Sequence, residues 1–140
     1  MPLTTDQAVT AILSQLVRTE YDELRAPKPA IHAAFARVQK ELPDYFPKVS
    51  FGRYGSLMNS DEIDYAWRSH VMNGLISTDN PDLVIHRLKP GIIGYYETSI
   101  APDLDKELKN QTVEAAKIFR KALEDLTSSE DVSALIVMRP

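Results

Sequence analysis

The sequence predicts a mainly helical α+β fold: a single domain with one small β-hairpin and a long C-terminal helix. Three observations point there. Apolar residues recur at helical spacing in separate stretches near residues 9–24, 31–42, 63–71 and 108–126. Between the last two stretches, Gly74 precedes two short apolar runs, Leu75-Ile76 and Leu83 to Leu88. These flank Ser77-Thr78-Asp79-Asn80-Pro81-Asp82, which is strong turn chemistry. The chain has 140 residues, 44% hydrophobic and 26% charged, enough to bury a core without metal or disulfide staples.

The first helix opens at Thr4, with Gln7 at capping-box spacing. Val9, Ile12, Leu13, Leu16 and Val17 form its stripe, with Tyr21 and Leu24 near the same line. Pro27 and Pro29 predict its end near Arg25. Pro29 suits the first turn of a second helix, whose buried face is Ile31, Ala34, Phe35, Val38 and Leu42 and which Pro43 ends. Residues 43–58 are aromatic-rich and broken by Pro and Gly. Within them Val49 and Phe51 alternate with polar neighbours, which predicts a short strand in a loop.

Asn59 reads as the N-cap of a third helix, with Glu62 at the reciprocal position. Asp61, Glu62 and Asp64 load its first turn with negative charge, which the helix dipole favours. Ile63, Ala66, Trp67, His70 and Val71 predict its buried face, Gly74 its stop, and Leu75 the contact that closes a Schellman turn. Pro90-Gly91 breaks the strand that follows. The longest helix is expected from Ser99 to Leu126, entered at Pro102. Its stripe, Leu108, Thr112, Ala115, Phe119, Ala122 and Leu126, has heptad-like spacing. Residues 132–138 read as a short final helix, with Ile136-Val137 also suiting a strand. The domain, 1–140, thus comprises an N-terminal helix (1–27), a central core (28–98) and a C-terminal helical region (99–140).

Charge and composition narrow the function classes. Net charge is −4, and of the successive segments 1–27, 28–42, 43–94 and 95–140 only 28–42 carries a positive excess. Nucleic-acid binders concentrate Lys and Arg where they meet phosphate, so the overall balance disfavours nucleic acid. With no cysteine, disulfides, thiolate metal sites and cysteine nucleophiles are excluded. His32, His70 and His86 lack the spacing of a helical zinc site, so no metal or other cofactor is expected. No GxSxG, P-loop, GxGxxG or HExxH motif occurs, and the carboxylates at 61–64 are explained by cap and dipole, so no enzyme is expected. The N-terminus lacks the pattern of a signal peptide and no apolar run is long enough to span a bilayer, so a cytoplasmic protein is expected.

The helix ending Val71-Met72-Asn73, then Gly74-Leu75-Ile76, a turn, and Ile85-His86-Arg87-Leu88-Lys89-Pro90-Gly91 resembles the winged-helix superfamily, in the order seen in regulators of the MarR and PadR type. The final piece is a shortened form of that pattern, without its Thr. A second resemblance, through Phe51-Gly52-Arg53-Tyr54-Gly55 and the helix–strand unit after it, is to Panacea-type phage and toxin–antitoxin-associated domains, with Ser56 where those carry Pro. The first resemblance implies a winged-helix-like domain, a third helix able to enter a DNA groove, and a long dimerising helix.

Two functions follow as expectations. One is a non-enzymatic protein-interaction or regulatory module, working as a homodimer or with another protein. Its candidate interface residues are Tyr45, Phe46, Phe51 and Tyr54 in the aromatic loop, and Leu108, Ala115, Phe119, Ala122 and Leu126 as a dimer seam. For each set the alternative is burial in the chain's own core, which is favoured for the loop. The other function is a DNA-binding transcriptional regulator, with Arg53, Arg68, Arg87 and Lys89 on phosphate and the 59–73 helix in the major groove. The acidic start of that helix disfavours the second.

Overall fold

The computed structural model describes residues 3–54, 57–78 and 85–127, without the side chains of Tyr54 and Leu57. Helix α1 (Thr5–Arg18) begins as the sequence predicts: the Thr4 hydroxyl accepts the Gln7 backbone N–H and the Gln7 side chain accepts that of Thr4. It ends at Arg18 rather than near Arg25. Glu20 adopts φ 64°, and the N–H groups of Glu20 and Tyr21 donate back to the Val17 and Leu16 carbonyls. This is a left-handed helix stop of the kind usually assigned to Gly. The chain beyond it is free to extend, and Glu23–Arg25 becomes strand β1.

Helix α2 (Lys28–Glu41) carries Pro29 in its first turn, as expected. The strand expected at Val49–Phe51 lies slightly later: β2 (Gly52–Tyr54) pairs antiparallel with β3 (Leu57–Asn59). Gln39 Nε2 donates to the carbonyls of Pro47 and Val49, at 2.9 and 3.1 Å, and so ties the preceding loop to α2. Helix α3 (Asp61–Met72) is capped by Ser60, not Asn59, because Asn59 is held as the last residue of β3. Its end is as expected. Gly74 has φ 75°, Gly74 N–H donates to Val71 and Leu75 N–H donates to His70.

Strands β4 (Ile76–Thr78) and β5 (Ile85–Leu88) form the predicted hairpin; Ser77 and Thr78, expected in its turn, belong to β4, and residues 79–84 lie outside the described residues. β1 adds to it, giving an antiparallel sheet of order β1-β5-β4 with Leu24 opposite His86. The first 27 residues therefore contribute to the sheet as well as supplying a helix.

Pro90-Gly91 was expected only to break the strand, yet it starts helix α4 (Gly91–Ser99). Proline lacks the N–H that a helix start leaves unpaired, so the same residue ends a strand and admits a helix. A single 3-10 turn at Ala101–Asp103 follows. The long helix α5 (Lys106–Thr127) then begins later than Ser99, with Asp105 Oδ1 accepting the Leu108 N–H at 2.8 Å. Residues 132–138 lie outside the described residues.

One contiguous apolar cluster runs from Leu3 to Leu123. α5 packs on α1 and α2. Phe35 is the pivot, 4.6 Å from Phe119 and 5.9 Å from Phe46 between ring centres. The result is a mainly helical α+β fold with a long C-terminal helix.

Candidate functional site

The interface residues expected in the aromatic loop and along α5 are largely taken by the core. Tyr45 and Phe46 are fully buried. The Tyr45 and Thr112 hydroxyls lie 2.9 Å apart, and burial pushes the Tyr45 phenol well above its ordinary range. Phe51 packs partly buried against the same cluster, and the Tyr54 side chain lies outside the described residues. Ala115, Phe119 and Ala122 are buried, while Leu108 and Leu126 pack at the core's margin. The α5 stripe therefore faces α1 and α2 within the same chain, with Leu108 and Leu126 partly buried at its ends. Its spacing of four and three is that of any helix laid along a core.

Of the four expected phosphate contacts, Arg87 and Lys89 line one hollow, while Arg53 and Arg68 stand on other elements. Arg53 is exposed on β2 and Arg68 on α3. Arg87 Nη1 lies 2.8 Å from Glu23 Oε1 across the β1–β5 pair. Hydrogen bonding from Arg25 and the nearby Arg25 and Arg87 charges hold the Glu23 carboxyl below its usual range. Arg87 and Lys89 share a shallow hollow whose other charged walls are Asp22 and Glu23, so two cations there meet two carboxylates.

Helix α3 leaves one face open to solvent. Its position is fixed at both ends. The Ser60 hydroxyl accepts the Ile63 N–H at 3.3 Å, and the Ser60 N–H donates to His32 Nδ1 at 2.9 Å. That bond requires an unprotonated Nδ1, and burial lowers the His32 pKa accordingly. Ile63, Ala66, Trp67 and His70 form the buried face, while Val71, expected there, is exposed.

His70 joins α3 to α1. Its Nδ1 lies 2.7 Å from the Ala66 carbonyl and its Nε2 lies 2.7 Å from Thr10 Oγ1. Asp6 Oδ1 is 4.0 Å from the same Nδ1. This has the outline of a carboxylate, imidazole and hydroxyl relay. Thr10, however, is 0% exposed, so its hydroxyl meets His70 and no substrate. His86 likewise spans two elements, with Thr78 Oγ1 and the Ala26 carbonyl each 3.2 Å from a ring nitrogen. Among the described residues no three His, Asp or Glu side chains converge as a metal set, and no helix is long and apolar enough to cross a membrane.

The opposite face of α3 carries Asp61, Tyr65, Arg68 and Met72, with Glu62 and Ser69 beside them. Tyr65 is 79% exposed and Met72 86%. Two shallow hollows flank Tyr65, one lined with Thr5, Asp61 and Glu62 and the other with Arg68, Ser69, Met72 and Asn73. Asp64 is engaged from both sides, by Lys28 Nζ at 2.9 Å and Arg68 Nη1 at 3.7 Å. Among the described residues neither Asp61 nor Glu62 forms an ion pair. Asp61 accepts from Asn59 Nδ2, and Glu62 accepts from the Ser50 N–H and the Ser60 hydroxyl.

Tyr65 and Met72 were not among the residues expected from the sequence. The signal was available: both fall off the Ile63–Ala66–Trp67–His70 stripe, so an apolar residue there has no core to enter. Comparison with protein families, curated proteins and solved structures finds no match to this chain.

Proposed function

We propose that this chain is a non-enzymatic protein-interaction or regulatory module of winged-helix type that docks a partner protein through the outer face of α3. One observation carries the reading. Among the described residues the large apolar side chains left exposed are Tyr65, Val71, Met72, Tyr95 and Val113; Tyr65 and Met72 share the outer face of α3, and Val71 stands at the edge of its buried face. Isolated exposed apolar residues are ordinary, whereas a cluster on one face, rimmed by charge, marks a contact surface. The exposed aromatic and the methionine are residue types enriched at such surfaces. The succession of α3, its Gly74 stop and the β4–β5 hairpin supports the winged-helix part of the reading, and β1 extends that hairpin into a three-stranded sheet.

DNA binding is the second reading, favoured by the exposure of Arg68 in the middle of the same face. It is disfavoured because a helix entering a major groove leads with its first turn. Here that turn presents Asp61, Glu62 and Asp64 to phosphate and to base acceptors.

The readings separate in one experiment with two arms. In a mobility-shift titration against mixed duplex DNA at low salt, the chain is expected to leave the duplex unshifted. A shift that weakens steeply with salt and is lost in Arg68→Ala would replace this reading with the DNA one. In the second arm a photo-crosslinking residue replaces Met72 or, as control, the exposed Val113 on α5. Protein adducts are expected from position 72 and not from 113. Equal labelling at both would remove the special status of α3.

A further inference from the structure

We propose that the occupant of the α3 outer face is a second copy of this chain, bound antiparallel across a two-fold axis that passes Tyr65. The inference rests on the partner-binding reading and gives that partner an identity.

Self-complementarity carries it. Around a helix, successive residues turn by about 100° and rise by about 1.5 Å. On α3 this places Asp61 and Arg68 on one side of the Tyr65 line, and Glu62 and Ser69 on the other. Asp61 is four residues before Tyr65 and Arg68 three after it, so the two are nearly equidistant from Tyr65 along the axis. A two-fold axis perpendicular to the helix at Tyr65 carries each residue to the matching height on the same side of the facing helix. Asp61 then meets Arg68 of the partner subunit, and the reciprocal pair forms at the other end. Glu62 meets Ser69 of the partner subunit in the same way.

Tyr65 meets its own copy at the centre, where two rings of this type stack offset or edge to face. The hollows on either side of Tyr65 give each ring a seat. Met72, about 10.5 Å along the axis from Tyr65, projects past the start of the facing helix.

A contact that pairs acid with base under its own symmetry is the requirement of an isologous dimer. An unrelated partner would need no such balance about Tyr65. Among the described residues the carboxylate of Asp61 has only the Asn59 amide as a partner within its chain, and the Arg68 guanidinium touches Asp64 through one nitrogen at 3.7 Å. Arginine has five N–H donors in a planar fork, so that contact leaves donors for a second carboxylate. A single helix pair is a small interface, so dimer formation is expected to depend on protein concentration and to weaken with salt.

The chain has no cysteine, so single introduced thiols report geometry without background. Tyr65→Cys is expected to give a disulfide-linked dimer under mild oxidation. Met72→Cys places its two thiols about 21 Å apart along the axis, fourteen residues at the helical rise, and is expected to stay monomeric. In sedimentation equilibrium, Arg68→Asp is expected to raise the dimer dissociation constant about tenfold or more, two ion pairs being replaced by two like-charge contacts. Asp61→Arg combined with Arg68→Asp is expected to recover it. Each substituted side chain is exposed, so the fold is not at stake. A chain that stays monomeric at every concentration would overturn the inference while leaving a different protein as the partner of α3. Met72→Cys cross-linking as readily as Tyr65→Cys, or no recovery in the double reversal, would also overturn it.

Discussion

Tyr45 and Tyr65 carry the same side chain and stand on opposite sides of the solvent boundary. Tyr45 lies in a loop broken by Pro43 and Pro47, the kind of segment often assigned to recognition, and it is fully buried with its hydroxyl on Thr112. Tyr65 lies in the middle of a well-formed helix, where aromatics usually fill a core, and it is 79% exposed. The difference teaches that local backbone regularity does not decide which aromatic meets a partner. Geometry does. The 43–51 loop lies against α2 and α5, with Phe46 beside Phe35 and the Tyr45 hydroxyl on Thr112. A helix sorts its residues by angle, and Tyr65 falls at an angle from which no core can be reached.

The buried half of that comparison gives the largest expected effect. Phe119 lies against Phe35 beneath the same loop. Phe119→Ala should cost about 3–5 kcal/mol of unfolding free energy, the range for removing a packed ring and leaving a cavity. Chemical denaturation measures it. A loss under about 1 kcal/mol, the range of an ordinary surface change, would mean that α5 does not close the core as described.

Acid should act on the joint that aims the exposed half outward. His32 Nδ1 accepts the N–H of Ser60, the cap of α3. Burial lowers the His32 pKa, the Asp64 charge opposes this and the Lys28 charge assists it. The folded chain therefore binds fewer protons here than the unfolded chain, whose histidine titrates near about 6.5. Stability from this joint is complete above that value and is lost as pH falls below it towards the lower folded pKa. Thermal midpoints between pH 8 and pH 5, values spanning that window by about 1.5 units each way, should fall with acid. His32→Asn keeps an acceptor near the Nδ1 position without a titrating ring and should flatten that fall. An unchanged slope in His32→Asn would assign the acid response elsewhere.

Much of the fold was legible because the chain states it locally. The Thr4–Gln7 box, Pro29, the acidic turn at 61–64 and Gly74 each mark a boundary by a residue type with a physical reason to be there. What was missed lacked such a mark. β1 has three residues and gains its meaning only from pairing with β5, some sixty positions on. α4 hides behind Pro90-Gly91. The α5 stripe looks the same in sequence whether it faces α2 or another subunit. The end of α1 was hidden because Glu20, not Gly, occupies the left-handed position, and the apolar line ran on through Tyr21 and Leu24. That position also makes a prediction. α1 and α3 end in the same hydrogen-bonded turn, at φ 64° and φ 75°, but only α3 has Gly there. Glu20→Gly should stabilise the chain by about 0.5–1 kcal/mol by removing the strain of a side chain at positive φ. Denaturation midpoints read this directly, and a destabilised variant would show that Glu20 makes a contribution outweighing its strain.

The smallest effect belongs to the exposed tyrosine and sharpens the comparison most. Tyr65→Ala removes a large ring, as Phe119→Ala does, yet the ring lies outside the core. Alanine has a better helix propensity than tyrosine, which offsets what little contact is lost. Measured on a dilute monomeric sample, the change in stability should stay within about 0.5 kcal/mol, the usual range for surface substitutions. At concentrations that populate an α3-mediated dimer, the same substitution should lower the thermal midpoint, because a ligand or subunit that binds only the folded state adds to its stability by mass action. An effect that grows with protein concentration places the function of Tyr65 between molecules. A loss of several kcal/mol in the dilute monomer would return Tyr65 to the core and erase its distinction from Tyr45.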